Sequence, residues 1–157
     1  MAVIEAILDV RAIGDPYSED GSFAATLASL PPGLRAMAAT HWLDVSLTLD
    51  SITWHFGNFG EPHLVAQTEA GLYELALDDL AVCFREAKEL MLPLLSERTE
   101  ADGDPDELLK VKGLSAVADE LNGRSWDMID IGKGKSLIYD AWIRYTRQNP
   151  ERVFASL

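Results

Sequence analysis

Lysine and arginine are in short supply: 13 of them stand against 26 Asp and Glu, a formal net charge of −13. The shortage is concentrated. Residues 1–107 hold 20 acidic and 5 basic side chains, a balance of −15, whereas residues 108–157 hold 6 and 8, a balance of +2. A body this poor in cations has little surface with which to neutralise phosphates, which argues against DNA, RNA and anionic lipid as direct ligands. It suits basic partners, including the nucleic-acid-binding faces of other proteins. Cysteine is nearly absent as well. With Cys83 alone there is no intrachain disulfide and no multi-cysteine metal knuckle, which fits a reducing compartment. No run approaches the roughly 20 apolar residues of a membrane-spanning helix. Glu5 and Asp9 interrupt the first apolar stretch, and no basic start precedes it, against a secretory signal. The expectation is a soluble, cytoplasmic protein.

What is present is a core. Of 157 residues 48% are apolar, too many for a disordered acidic tail and enough for one globular domain. The spacing of apolar residues predicts a mainly α fold, a single-domain orthogonal bundle of five to seven helices over residues 1–157. Val3, Ile4, Ile7 and Leu8 suggest a short helix over 3–13, with a strand open as an alternative near Val10 and Ile13. Phe23 to Leu30 reads as another short helix, stopped by Pro31-Pro32-Gly33. The strongest pattern is Leu34 to Phe56, where Leu34, Met37, Ala38, His41, Trp42, Val45, Leu49, Ile52 and Phe56 recur at steps of three and four. It predicts one long helix with Val45, Leu49, Ile52 and Phe56 buried.

Gly57-Asn58-Phe59-Gly60 should end that helix, and Pro62 should start the next, running to about Leu75. Asp78 or Asp79 caps a helix from Leu80 to about Leu95, with Leu80, Cys83, Phe84, Ala87, Leu90, Met91 and Leu94 on its core face and Pro93 in its last turn. An acidic loop follows over 96–107. Asp104-Pro105 then reads as cap and first residue of a helix reaching Leu121 past Gly113. Trp126 to Ile131 is a short strand or a loop. Leu137 to Gln148 is a helix presenting Leu137, Ile138, Ala141, Trp142 and Tyr145, ended by Asn149-Pro150.

Motifs that carry chemistry are weak. Gly132-Lys133-Gly134-Lys135-Ser136 ends like a phosphate-binding loop, but Ile129 stands where the first glycine is required, so a basic turn before a helix is the better account. His41, His55 and His63 have no i, i+4 partner for a metal; His55, Glu61 and His63 could meet across the Gly57–Gly60 turn as an unspecific triad. Cys83 falls on a core face, where a thiol is inert. No serine occupies a Gly-x-Ser-x-Gly elbow. Asp102 to Glu107 departs from the calcium-loop frame. No catalytic residue, metal or cofactor is expected. Rows of carboxylates are more suggestive: Glu5/Asp9, Glu74/Asp78 and Glu86/Glu89 are helical neighbours about 5–6 Å apart, a spacing that approximates a nucleic-acid backbone. Glu74, Asp78, Asp79, Glu86 and Glu89 are the expected partner-binding residues.

Two stretches carry a resemblance. Trp42-Leu43-Asp44 through Leu49-Asp50-Ser51-Ile52-Thr53-Trp54-His55-Phe56-Gly57-Asn58-Phe59-Gly60, followed by the Pro62–Leu95 helix pair, is the first; Tyr145-Thr-Arg-Gln-Asn149-Pro150-Glu151-Arg152-Val153-Phe154 is the second. Together they resemble the small acidic all-α bacterial proteins grouped with the Neisseria DNA-mimic protein. Leu49-Asp50-Ser51 stands where that family has an Asn-Gly-Gly triplet. The resemblance spans residues 40–157, with 1–39 as an N-terminal helical extension. It implies a helical, dimeric, non-enzymatic protein occupying the DNA-binding face of a partner, and it assigns no binding residue. Two rival expectations are an immunity protein blocking a basic nuclease toxin, and a small enzyme using His55 with nearby carboxylates. The enzyme would need His55 to line an open pocket.

Overall fold

A computed structural model describes residues 14–97, 104–129 and 136–155. Among the described residues there are nine helices and no strand: α1 (Ser22–Ala28), α2 (Pro32–Leu49), α3 (Ile52–Phe59), α4 (Pro62–Glu74), α5 (Asp78–Glu97), α6 (Pro105–Val111), α7 (Ser115–Ile129), α8 (Leu137–Gln148) and α9 (Pro150–Phe154). The fold is the mainly α bundle expected, built from more and shorter helices than five to seven. The helix expected over 3–13, the segment 98–103 of the acidic loop and the Gly132–Lys135 stretch lie outside the described residues.

Proline sets the phase of four helices. Pro32, Pro62, Pro105 and Pro150 each occupy the first turn of α2, α4, α6 and α9. There the missing N–H has no intrahelical partner to lose, and the fixed φ already matches a helix. Pro93 is different: it lies inside α5, which nevertheless continues to Glu97.

The long helix expected over Leu34–Phe56 is two helices. α2 ends at Leu49, and Asp50 leaves helical geometry at φ −151°, ψ −106°. Ser51 then caps α3, its hydroxyl accepting from the Trp54 N–H at 3.1 Å. Helix α7 holds this break from outside. The Trp126 indole N–H donates to the Asp50 carbonyl at 2.7 Å, and Asn122 Oδ1 accepts from the Thr53 N–H and hydroxyl at 3.2 and 3.1 Å. Ile52 and Phe56 are buried as expected, but Val45 is only half-buried and Leu49 is 72% exposed. The apolar spacing ran on across the break because two residues are too few to change its phase visibly.

A second expected helix also divides. Gly113 adopts φ +71°, its N–H reaching the Lys110 carbonyl while Leu114 N–H reaches back to Leu109 at 2.8 Å. That pair of bonds closes the end of α6, and a residue with a side chain would be strained there. α7 then runs to Ile129, so Trp126–Ile129 is helical and not strand or loop. α9 was not foreseen.

One hydrophobic cluster extends from Phe23 to Val153, and α2 lies at its centre, packed against α1, α3, α4, α7, α8 and α9. Close approach is arranged by small residues. A Cβ on Gly71 of α4 would sit 3.1 Å from Ala36 Cα, and one on Gly33 of α2 only 2.6 Å from the Tyr145 ring. Helix α5 follows the sequence pattern closely: Leu80, Cys83, Phe84, Ala87, Met91 and Leu94 are buried, and Leu90 is half-buried.

Candidate partner-binding surface

The five carboxylates expected to bind a partner fall into two kinds. Glu74, at the end of α4, is tied internally: it accepts from the Tyr145 hydroxyl and pairs with Arg152 of α9 at 2.7 Å. The Tyr145 hydrogen bond, with Arg152 beside it, holds this carboxyl below the usual range, while burial pushes the Tyr145 phenol up. Glu86 is likewise engaged by Arg124 of α7. Asp78, Asp79 and Glu89 are exposed and carry no ion pair among the described residues. Asp78 and Asp79 occupy the first turn of α5, where the helix dipole favours negative charge. Glu89 lies about 15 Å further along that helix at 1.5 Å per residue. Arg85 sits one turn before it on the same face.

Two ion pairs bracket α5, Lys88 with Glu69 of α4 and Glu86 with Arg124 of α7. Its polar side is therefore partly committed to holding neighbouring helices. The expected row of five is thus three available carboxylates and two structural ones.

The structure gathers a second acidic group that the sequence did not suggest. Asp106 in the first turn of α6 has its carboxyl pushed up by partial burial and then by the negative charges of Asp104, Asp50 and Asp119. These residues come from α6 and its cap, the α2–α3 break and α7. No ion pair neutralises them among the described residues. Asp104 was legible as a cap, and its side chain does accept from the Glu107 N–H at 2.9 Å. Asp50 was missed because the break beside it was missed. The available signal was Asp50-Ser51, a capping dipeptide set against Ile52.

Beside this group lies a cavity of about 330 Å³, lined by Trp54, Gly57, Asn58, Asp104, Pro105 and Asp106. Gly57 lets it form, since a Cβ there would meet the Pro105 ring at 2.9 Å. A larger groove of about 610 Å³ lies on the other side of Gly57 and Asn58, bordered by Tyr17, Glu19, Glu61 and Leu95. A third cavity, about 420 Å³, contains Glu74, Arg144, Tyr145 and Arg152 at the α4–α8–α9 junction.

The histidines do not assemble. His55 is 1% exposed, packed on Phe56, Phe59 and Phe84. Ser46 Oγ lies 2.9 Å from His55 Nδ1 and donates its own proton to the Trp42 carbonyl at 2.7 Å. With its one proton given to Trp42, Ser46 accepts from Nδ1–H, and the buried His55 Nε2 finds no partner among the described residues. Burial brings the His55 pKa down to about 3, so the ring stays neutral. His63 is exposed, and Glu61 is occupied in capping α4 through the N–H groups of His63 and Leu64. Among the described residues no three His, Cys, Asp or Glu side chains converge as a metal site. Cys83 is buried and its thiol is pushed up by that burial, as its core position suggested.

No family model matches the chain, and neither a curated protein nor a solved structure matches it significantly. Of the described helices none is long and apolar enough to cross a membrane.

A different polar group surrounds Asp44 on α2. This carboxylate is buried, which pushes its pKa up, while the Ser136 hydroxyl donates to it and His41 acts in the opposite direction. Ser136 at the same time caps α8 through the Tyr139 N–H. The arrangement fastens the entry of α8 to α2.

Proposed function

We propose that this protein is a non-enzymatic acidic interaction protein, acting as a DNA mimic on the basic surface of a DNA-binding protein. The observation that carries the reading is that Asp50, Asp104 and Asp119, from three parts of the fold, lie near enough to Asp106 to push its carboxyl up, with no ion pair to any of the four among the described residues. Like charges held together on a folded scaffold cost stability, and a basic partner removes that cost on binding. Asp78, Asp79 and Glu89 extend the negative field along α5, and they are the members of the sequence-derived set most available to a partner. The resemblance to the DNA-mimic group points to the same class of partner. His55 offers an enzyme little: it is buried, lines none of the three cavities described above, and its Nδ1 is engaged by Ser46.

The test uses the whole chain immobilised as bait for a lysate at low salt. Captured proteins should be DNA binders that are released by duplex DNA and by raised salt, since both compete for the same Lys and Arg. Partners that stay bound in excess DNA would remove the mimic reading. A nuclease released from the bait with its active site blocked would favour the immunity reading instead.

A further inference from the structure

Helix α7 carries a face that the other described helices leave open. Asp119, Gly123 and Trp126 lie at steps of four and three along it, with Asp127 beside them, and so share one side. Trp126 is 40% exposed, although its indole N–H donates to the Asp50 carbonyl at 2.7 Å. That bond uses the ring's one donor and fixes its orientation, so what the indole shows to solvent is apolar. Leu49, the residue before Asp50, is 72% exposed. Two large apolar side chains are therefore left in water around one stretch of backbone. Gly123, between Asp119 and Trp126, adds an independent sign. A glycine inside a helix is less stable than alanine, and nothing lies within 4 Å of where a Cβ on Gly123 would stand. The fold gains nothing from this missing side chain, whereas an element laid across α7 gains a close approach to its backbone. The polar members of the face are Asp50, Asp119 and Asp127, all exposed and without an ion pair among the described residues.

We infer that this face is the docking surface for the basic partner, which crosses α7 at Gly123 and sets an apolar side chain, flanked by Lys or Arg, on Trp126 and Leu49. Charge selects that occupant. A second copy of the chain in a twofold contact would set Asp50, Asp119 and Asp127 against themselves, whereas Lys and Arg at the rim meet them as counter-charges. An aromatic anchor inside a polar rim is also the arrangement that concentrates binding energy in protein interfaces. The inference rests on the acidic-interaction reading above and deepens it by naming the surface and the chemistry of the contact.

The probe is a blocked amphipathic peptide of leucines at helical spacing among arginines, titrated against the full chain; its control has serine for each leucine and the same charge. The indole N–H resonance of Trp126, assigned by its loss in Trp126→Phe, should move saturably with the leucine peptide and much less with the serine one. Gly123→Gln fills the open space over α7 with a good helix former, so denaturant unfolding should find the variant no less stable than the wild type. It should nevertheless weaken leucine-peptide binding about tenfold or more, the scale of losing one well-packed contact. Leu49→Ser should weaken it about threefold or more. Ala66→Gln, the same side chain on the exposed side of α4, should change it less than about twofold. Equal binding of the two peptides, a Trp126 resonance that does not move, or a Gly123→Gln variant that binds like the wild type overturns this docking face. Sedimentation showing a dimer that Gly123→Gln makes monomeric assigns the face to a second copy and overturns the basic partner there. Capture of DNA binders that is competed by DNA but indifferent to Gly123→Gln overturns the face and leaves the DNA-mimic reading standing. Peptide binding as described in a protein that captures no DNA binder supports the face and removes only the mimic.

Discussion

Helices α2 and α5 are of similar length and lie in the same core, yet they treat their circumference in opposite ways. Nine residues along a helix is a rotation of about 180°. On α2, Leu34 and Leu43 are related in that way, and both are fully buried. On α5 the equivalent pair is Leu80, buried, and Glu89, exposed. α5 has one inside and one outside. α2 has helices around most of its circumference, only the line through Val45 and Leu49 being partly open, so polar residues such as Thr40, Asp44 and Ser46 are buried along with its apolar ones and find partners within the protein. A surface helix announces its orientation through its stripe; on the central one the stripe through Val45 and Leu49 does not mark the buried side, since Leu43 and Leu47 off it are buried.

The sharpest way to break this comparison is truncation on opposite faces. Leu34→Ala and Leu43→Ala should each cost about 2–5 kcal/mol. On α5, Leu80→Ala should cost a similar amount, and Glu89→Ala should stay within about 0.5 kcal/mol. Denaturant unfolding measures all four. A surface-like cost for either α2 leucine would mean that one side of this helix is open.

Next in size is added volume. Gly71→Ala places a methyl 3.1 Å from the Ala36 backbone and 3.2 Å from Thr40 Cγ2. It should destabilise by about 1–3 kcal/mol through overpacking against α2. Gly123 lies within α7 with nothing inside 4 Å of its added Cβ, so Gly123→Ala should stabilise by about 0.5–1 kcal/mol. Opposite signs from one chemical change would locate the crowding at α2.

Acid should probe the polar atoms that α2 buries. The folded pKa of His55 is about 3, well below its ordinary 6.5. As pH falls below about 6.5, the unfolded chain takes up this proton first. Stability is therefore complete above that pH and is lost progressively toward pH 3. Within the window the wild type should lose about 1.4 kcal/mol per pH unit more than His55→Gln, which cannot titrate. Parallel pH profiles for the two proteins would show that His55 charges without unfolding.

The smallest effect belongs to the charges around α5. A double-mutant cycle on Lys88 and Glu69, or on Arg124 and Glu86, should return about 0.2–1 kcal/mol and shrink with added salt. A larger, salt-insensitive coupling would show that α5 is held by its ion pairs more than by its apolar face.

The same contrast explains what could be read from the sequence. The core face of α5 was legible residue by residue, as were the starts at Pro62 and Pro105 and the extent of α8. In those places one local signal, a stripe or a proline, decides the structure. The division at Asp50-Ser51 was not legible, because the apolar spacing of Leu34–Phe56 runs on across it without a visible end. What fixes that division is a set of hydrogen bonds from Asn122 and Trp126, some 70 residues away in sequence. For the surface, runs of neighbouring carboxylates were visible, but Glu74 and Glu86 are neutralised by Arg152 and Arg124 from distant helices. Asp50, Asp104, Asp106 and Asp119 are scattered along the chain, and only the tertiary fold brings them together.

The contact at Gly33 has a consequence for how the chain is made. The first turn of α2 is covered there by the Tyr145 ring, the Val153 side chain and the Arg152 carbonyl, and further along Thr40 accepts from the Trp142 indole. All of these partners lie in α8 and α9, more than a hundred residues downstream. As the polypeptide leaves the ribosome, α1, α3 and α4 are available to α2 early, but one flank of the central helix stays open until α8 and α9 have followed. That flank is the natural place for a chaperone to hold the nascent protein, and a premature stop before α8 would leave it open for good.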